Sequence, residues 1–221
     1  ILEIDPWLAP FEKDLQLRMA HYSAVKKTLL GDLPGLSAFA NGYLYFGFHR
    51  TENGWYYREW APGAEALYLL GDFNGWDPYG HPLKRIENGC WEIFIPGATA
   101  IQHGSRIKVR VRAAGTERDR IPAYIRRIVQ DPVTHSFDGQ IWWPEHPFAW
   151  TDSGFRIDRS RPLFIYEAHI GMAQEREGIG TYKEFTRNIL PRIKAGGYNA
   201  VQLMAIMEHP YYASFGYQVS N

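Results

Sequence analysis

Two apolar segments near the C-terminal end most restrict the fold: residues 163–170 and 198–206. Both have strand length and few polar interruptions, as strands buried in a parallel sheet do. Residues 181–195 between them have a helical pattern. A strand, a crossover helix and a second strand form a βαβ unit, which requires a parallel sheet.

Residues 181–195 carry their own boundary signals. Thr181 and Glu184 have the spacing of a capping box, and Gly196-Gly197 is expected to end the helix. Pro191 is expected to kink or split it, because proline cannot donate a backbone hydrogen bond.

A different pattern precedes this unit. Short β segments are separated by turn signals such as Asn53-Gly54, Asn74-Gly75 and Asn88-Gly89. This spacing predicts an immunoglobulin-like antiparallel β-sandwich of about 100 residues. An irregular, aromatic-bearing connector is predicted at residues 131–147. The predicted strands are residues 44–49, 55–60, 66–72, 91–95 and 106–112.

Residues 11–30 are predicted to form a helix. Phe11, Leu15, Met19, Tyr22, Val25 and Leu29 recur at three- and four-residue spacing. Such an apolar stripe is expected to lie against the domain that comes after it in the chain. The chain therefore divides into a helical segment (1–41), a β-sandwich (42–150) and the start of a further domain (151–221).

Charge and composition exclude several partner classes. Lys and Arg number 24, as do Asp and Glu, so no basic surface for nucleic acid or anionic membrane is expected. No signal-peptide pattern or membrane-length apolar run is recognised. The one cysteine, Cys90, fits a reducing compartment, and a soluble cytoplasmic protein is expected. A neutral partner is the natural inference.

Aromatic residues are the candidates for binding such a partner. Trp60 precedes Pro62 at a predicted strand end, where the two rings could form an apolar shelf for the C–H faces of an α-glucan. Trp76 follows an Asn-Gly turn, and Trp91 lies within a strand. For each tryptophan the alternative is a place in the core. Scattered histidines predict no metal site, and no cofactor motif is found.

Several strings resemble one family. YFG at residues 45–47, EWAPGA at 59–64 and GDFNGW at 71–76 resemble the carbohydrate-binding module of family 48. That module precedes the catalytic barrel in glycogen and starch branching enzymes of glycoside hydrolase family 13. IYEAHIG at 165–171 and GYNAVQLMAI at 197–206 resemble the first two strands of that (β/α)8 barrel. The YYASFGY string at 211–217, after Glu208-His209, is the most specific.

The resemblance implies roles for individual residues. Tyr217 would stack on the sugar at the donor cleavage subsite, and Trp60 with Pro62 would belong to a surface glucan site. Relatives draw an aromatic and a cationic side chain for that site from a turn that here carries Asn88 and Cys90. Trp76 would be a stacking residue, as in regulatory relatives, or a structural one.

The resemblance also implies a retaining mechanism. An aspartate nucleophile and a glutamate acid, about 5–5.5 Å apart, break an α-1,4 bond, and a 6-hydroxyl of another chain then forms an α-1,6 branch. In the family these carboxylates lie on the fourth and fifth barrel strands, so no catalytic residue is expected here. The leading hypothesis is the N-terminal part of a branching enzyme, inactive without the remainder of the barrel.

Two alternatives remain open at this stage. One is a non-catalytic α-glucan-binding or targeting module. The other is a debranching or trehalose-forming relative, against which the tyrosine-rich string at residues 211–217 argues.

Overall fold

The computed structural model describes residues 1–209 and 211–219; Pro210, Ser220 and Asn221, within the predicted third segment, lie outside the described residues. The chain forms two compact units. The first comprises residues 1–70, 77–100 and 109–124, and the second comprises residues 71–76, 101–108 and 125–221.

The predicted N-terminal helix is confirmed, and its environment is not the expected one. Helix α1 spans Glu12–Leu30, after a 3-10 turn at Pro6–Phe11, and a short helix α2 follows at Leu36–Phe39. No α1 residue is buried, and Met19 is 61% exposed. The prediction that this stripe lies against the next domain is therefore wrong for the described residues. None of the helices in the described ranges is long and apolar enough to cross a membrane.

A four-stranded antiparallel sheet is built around the longest strand pair. The strand order is β1-β2-β5-β4. Strand β2 alternates strictly, with Trp55 and Tyr57 buried and Tyr56 and Arg58 less so, which is the pattern of a sheet with one covered face. The strands are β1 (Gly47–Arg50), β2 (Gly54–Trp60), β4 (Lys84–Arg85) and β5 (Cys90–Pro96).

The second sheet has five strands in the order β3-β6-β9-β8, with β7 paired to β6. Sequence patterns missed β7, β8 and β9. Strand β7 is mostly charged and exposed along its length, and β8 and β9 have only three and four residues. Strand β9 lies inside the predicted irregular connector at residues 131–147, so that prediction is wrong there. The strands are β3 (Ala66–Gly71), β6 (Arg106–Ala113), β7 (Thr116–Arg120), β8 (Ile128–Gln130) and β9 (Phe137–Gln140).

A parallel strand pair forms within the second unit. Strand β10 (Ile165–His169) pairs with β11 (Ala200–Met204), with Ile165 opposite Ala200. The prediction that both strands are buried is wrong for the described residues, since Ile165 is 53% exposed and Leu203 is 40% exposed. Parallel strands are usually covered on both faces, and here the buried cluster lies around Ala168 and Ile170.

The helix between these strands is split, as the proline predicted. A first turn, α3 (Tyr182–Glu184), continues into a π-helical turn at Phe185–Ile189 and then into α4 (Leu190–Ala195). Pro191 stands at the start of α4, where its missing N–H matters least. Gly197, with φ of +89°, ends the helix as predicted.

The predicted capping box is confirmed. The Thr181 hydroxyl accepts from the Glu184 N–H at 3.2 Å, and the Glu184 carboxylate accepts from the Thr181 N–H at 2.9 Å. Hydrogen bonds from Arg176 and from the Thr181 backbone lower the pKa of Glu184 to about 2. The charged carboxylate thus fixes the start of the helix.

Replacing this carboxylate should lower stability in a pH-dependent way. A depressed pKa means that the stabilisation is present above the ordinary carboxyl value of about 4.3 and is lost as pH falls towards 2. Glu184→Gln should therefore melt below the parent chain at pH 7, and the difference should shrink between about pH 4.5 and 2. Thermal unfolding against pH measures this, with exposed Glu175→Gln as the control. A difference unchanged over that whole range would contradict it.

Candidate glucan-binding site

Trp60 lies at the end of β2, on the outward side of the alternation. Its side chain is 59% exposed. The indole Nε1 donates to the carbonyl oxygen of Asn88 at 3.1 Å. This bond fixes the ring orientation while leaving much of the indole open to solvent, so an aromatic face is accessible in a fixed position.

The segment after Trp60 is held by neighbouring backbone and side-chain groups. The Ala61 N–H donates to the Gly89 carbonyl at 2.9 Å, and the Trp91 indole N–H donates to the Ala61 carbonyl at 3.0 Å. The Arg85 guanidinium donates to the Pro62 carbonyl at 3.0 Å. Pro62 is therefore an exposed residue on a well-held backbone, two positions after Trp60. We call the two rings and this backbone the Trp60 shelf.

Gly89 permits the close approach of the turn to the shelf. A Cβ at this position would lie 2.6 Å from the Pro62 Cβ, and the glycine has φ of +75°. Asn88 before it also has positive φ, at +56°, which asparagine tolerates better than most residues. The predicted Asn88-Gly89 turn is therefore confirmed, and its glycine is required by both space and conformation.

A buried carboxylate anchors the same strand end from the inner side. Glu59 is 7% exposed and accepts from the Tyr57 hydroxyl at 2.8 Å and from the N–H groups of Trp60 and Ala123 at 3.1 and 2.9 Å. Burial, and then the nearby Glu59 charge, raise the pKa of Tyr57 well above its usual value. The phenol thus stays a donor, and the carboxylate ties β2 to residue 123.

Trp91 is buried and supports the Trp60 shelf. It is 4% exposed, with the Arg85 guanidinium 5.6 Å from its ring centre. A ring covered in this way has no free face for a sugar. Trp91 therefore leaves the set of candidate contact residues and instead fixes the backbone of the shelf through Ala61.

Trp76 lies in the second compact unit and is half-buried. Its Nε1 donates to the Asp72 carboxylate at 2.9 Å, and the Arg106 guanidinium lies 5.9 Å from the ring centre. Arg106 also pairs with Asp131 at 3.2 Å. The indole is thus held within a network of charged groups, where a structural role fits its contacts.

Tyr217 also lies in the second unit, at the end of a loop next to the parallel strand pair. The side chain is 79% exposed, and its N–H donates to the Ser214 carbonyl at 3.0 Å. The loop closes on the end of β11, since a Cβ on Gly216 would lie 2.5 Å from Ala205 Cα. This is the C-terminal edge of the pair, where barrel enzymes place substrate groups.

His169 ends β10 next to this loop. Its ring meets those of Tyr212 and Phe215 edge-on, with centres 5.8 and 6.0 Å apart. Both ring nitrogens are buried without a hydrogen-bond partner among the described residues. Buried polar atoms are normally paired, so this imidazole is an unusual feature of the C-terminal edge.

Sequence reasoning found the rings of the shelf and missed its supports. Arg85 carries no pattern that marks it as a donor to the Pro62 carbonyl. Glu59 could have been recognised as a buried carboxylate. It is two residues from Tyr57 on β2, so both side chains point to the same, buried face of the sheet.

The part of the chain that contains the Trp60 shelf is similar to a known protein family. Residues 45–125 match the family model of the carbohydrate-binding module 48 (isoamylase N-terminal domain). The Trp60 shelf lies entirely within the matched residues.

The full chain is similar to longer proteins. It is 41% identical over 227 residues to a 1,4-alpha-glucan-branching enzyme of Felis catus and 45% identical over 232 residues to one of Aspergillus oryzae. Both alignments cover 100% of this chain, and 32% and 33% of the relatives. The chain thus spans about a third of the length of these relatives and corresponds to their N-terminal region.

The similarity to solved structures is evidence about the fold and not about function. Pullulanase SAP of Group B Streptococcus matches 75% of this chain and 24% of its own chain, with a TM-score of 0.63 and 16% identity. The N-terminal helix and antiparallel sheets are consistent with the β-sandwich of module 48.

Removing the Glu59 carboxylate should destabilise the chain. Glu59→Leu would leave the buried Tyr57 hydroxyl and two N–H groups without their acceptor, at a cost of about 1–3 kcal/mol. Urea unfolding measures the change. Glu65→Leu is the control, because its pairing with Arg112 is exposed and long, at 3.7 Å, and such pairs contribute about 0–1 kcal/mol. Equal losses in both variants would contradict the role of Glu59.

Proposed function

We propose that the whole protein is a 1,4-α-glucan branching enzyme and that this chain provides its glucan-binding module and the start of its catalytic barrel. The observation that carries the proposal is the 41–45% identity over the whole chain to the corresponding region of such enzymes. The enzyme would cleave an α-1,4 glucan and transfer the released chain to a 6-hydroxyl. The proposed domains are residues 1–41, 42–150 and 151–221.

The Trp60 shelf would bind α-glucan and would take no part in catalysis. Its indole is exposed and fixed by the Asn88 carbonyl, and the exposed Pro62 follows two residues later, which suits the apolar face of a glucose unit. Aromatic contacts of this kind contribute about 0.5–1.5 kcal/mol each beyond burial. Repetition along a polymer makes such weak sites effective.

The parallel strand pair would be the first βαβ unit of a (β/α)8 barrel. Support comes from its parallel register, the helix between its strands and the apolar side chains that it leaves exposed. Two strands with uncovered apolar faces are rarely stable alone. In the whole protein the remaining strands would cover them, and Tyr217 would stand at the donor cleavage subsite on the C-terminal edge.

Catalysis would then require residues beyond this chain. A retaining reaction needs two carboxyl groups about 5–5.5 Å apart. Glu167 lies within β10 and Glu208 follows β11 near the aromatic loop, and we assign neither a catalytic role. The proposal places the nucleophile and the acid in the part of the protein that corresponds to the other two thirds of its relatives.

Loss of the indole should weaken glycogen binding. Trp60→Ala should cost roughly 1–3 kcal/mol of binding free energy, the range for a truncated stacking tryptophan. Affinity electrophoresis in glycogen-containing gels measures retention. Trp7→Ala is the matched control, because Trp7 is 88% exposed and is not part of the Trp60 shelf. Unchanged retention of the Trp60 variant would refute the shelf as a glucan site.

Branching activity should require the whole protein. The 221-residue chain incubated with amylose should form no new α-1,6 linkages, while the whole protein should form them, as measured by isoamylase debranching and chain-length profiling. Linkages formed by the short chain would overturn the placement of the carboxylates. A whole protein that binds glycogen and forms no linkages would favour the alternative, a non-catalytic glucan-binding protein.

A further inference from the structure

An open groove of about 780 Å³ lies next to the Trp60 shelf. Its walls include Tyr45, Lys84, Arg85, Asn88 and Cys90. Asn88 is the residue whose carbonyl holds the Trp60 indole, so the groove begins at the support of the shelf. Its size is within the range of about 300–1,000 Å³ that is usual for ligand sites.

Tyr45 is the aromatic residue of this groove, and its ring is held in place. The Arg58 guanidinium lies 4.6 Å from the ring centre, and Phe46 meets the ring edge-on at 5.1 Å. Arg58 is fixed in turn by an ion pair with Glu92 at 2.5 Å and by the Tyr56 ring at 4.9 Å. Tyr45 nevertheless remains 43% exposed.

The sheet register connects this ring to the shelf. Arg58 and Trp60 are two residues apart on β2 and therefore project from the same face, about 7 Å apart along the strand. Arg58 is opposite Glu92, which is opposite Lys84, and Trp60 is opposite Cys90. One outward face of the sheet thus carries Trp60 and the arginine on which Tyr45 rests.

Polar groups line the space near these rings. Lys84 is exposed and forms no ion pair with another described residue. The Asn88 side chain is also exposed at the turn. An ammonium and an amide can donate to sugar hydroxyls, and the amide oxygen can also accept. A groove with such groups and one fixed aromatic ring in its wall, next to a second fixed ring at Trp60, has the composition of a site for several linked sugars.

We propose that Tyr45 is a second stacking residue for the α-glucan chain that Trp60 binds, and that the groove is an added subsite of the module. This inference rests on the proposed function of the Trp60 shelf. It gives the module a preference for longer linear α-glucans. A short oligosaccharide occupies the shelf alone, and a longer one also reaches Tyr45.

Chain-length dependence of binding tests the inference. Calorimetry or affinity electrophoresis with maltotriose and maltoheptaose would compare the 221-residue chain with its variants. Tyr45→Ala should weaken maltoheptaose binding about twofold to tenfold, the size of one aromatic contact, and leave maltotriose binding unchanged. Trp60→Ala should weaken both. Tyr45→Phe keeps the ring and should bind as the parent does.

Two controls separate ring loss from a general disturbance. Tyr45→Leu keeps bulk against Arg58 without an aromatic face and should lose the same affinity as Tyr45→Ala. Tyr22→Ala removes a tyrosine of similar exposure, 52%, which also has a cation, Lys26, near its ring at 5.8 Å, and should have no effect. Melting temperatures confirm that each variant is folded.

The outcomes distinguish the inference from the function beneath it. If Tyr45→Ala and Tyr45→Leu bind maltoheptaose as tightly as the parent while Trp60→Ala does not, the Tyr45 subsite is refuted and the shelf stands. If the parent chain binds neither oligosaccharide nor glycogen, the proposed function itself fails.

Discussion

The pairing of β2 with β5 is the constraint on which the first sheet and the Trp60 shelf depend. Seven residues of each strand are in antiparallel register, from Gly54 opposite Pro96 to Trp60 opposite Cys90. Side chains alternate across a strand, so this one register places Trp55 in the core and Trp60 on the surface. A shift by one residue would exchange the two faces and bury the Trp60 ring.

Sequence patterns were sufficient for the parts of the fold with strong local signals. The capping box at Thr181, the break at Pro191 and the turn at Asn88-Gly89 all depend on neighbouring residues, and all were predicted. Strands such as β7 depend on a partner, since Thr116–Arg120 has no apolar alternation of its own. Nothing local marks such a segment as a strand.

In the candidate site, too, features set by neighbouring residues were predictable and features set by distant residues were not. Trp60 and Pro62 were recognisable because a tryptophan close to a proline at a strand end is a local sequence pattern that suggests an apolar binding surface. The groups that hold them were not, because Arg85 reaches Pro62 across 23 positions of the chain. The burial of Trp91 was also not predictable from the sequence, because it depends on how β5 pairs with β2. Trp91 is opposite the buried Glu59, whereas Trp60 is opposite Cys90, so the two tryptophans project from opposite faces of the sheet.

The π-helical turn at Phe185–Ile189 changes which side chains share a helix face. A regular helix advances about 100° per residue, so Phe185 and Ile193 would point about 80° apart. The turn acts as one inserted residue, which brings them to within about 20° of each other. Both side chains consequently enter the same buried cluster with Ala168. The irregular geometry near Pro191 thus keeps the helix in phase with the sheet that it covers.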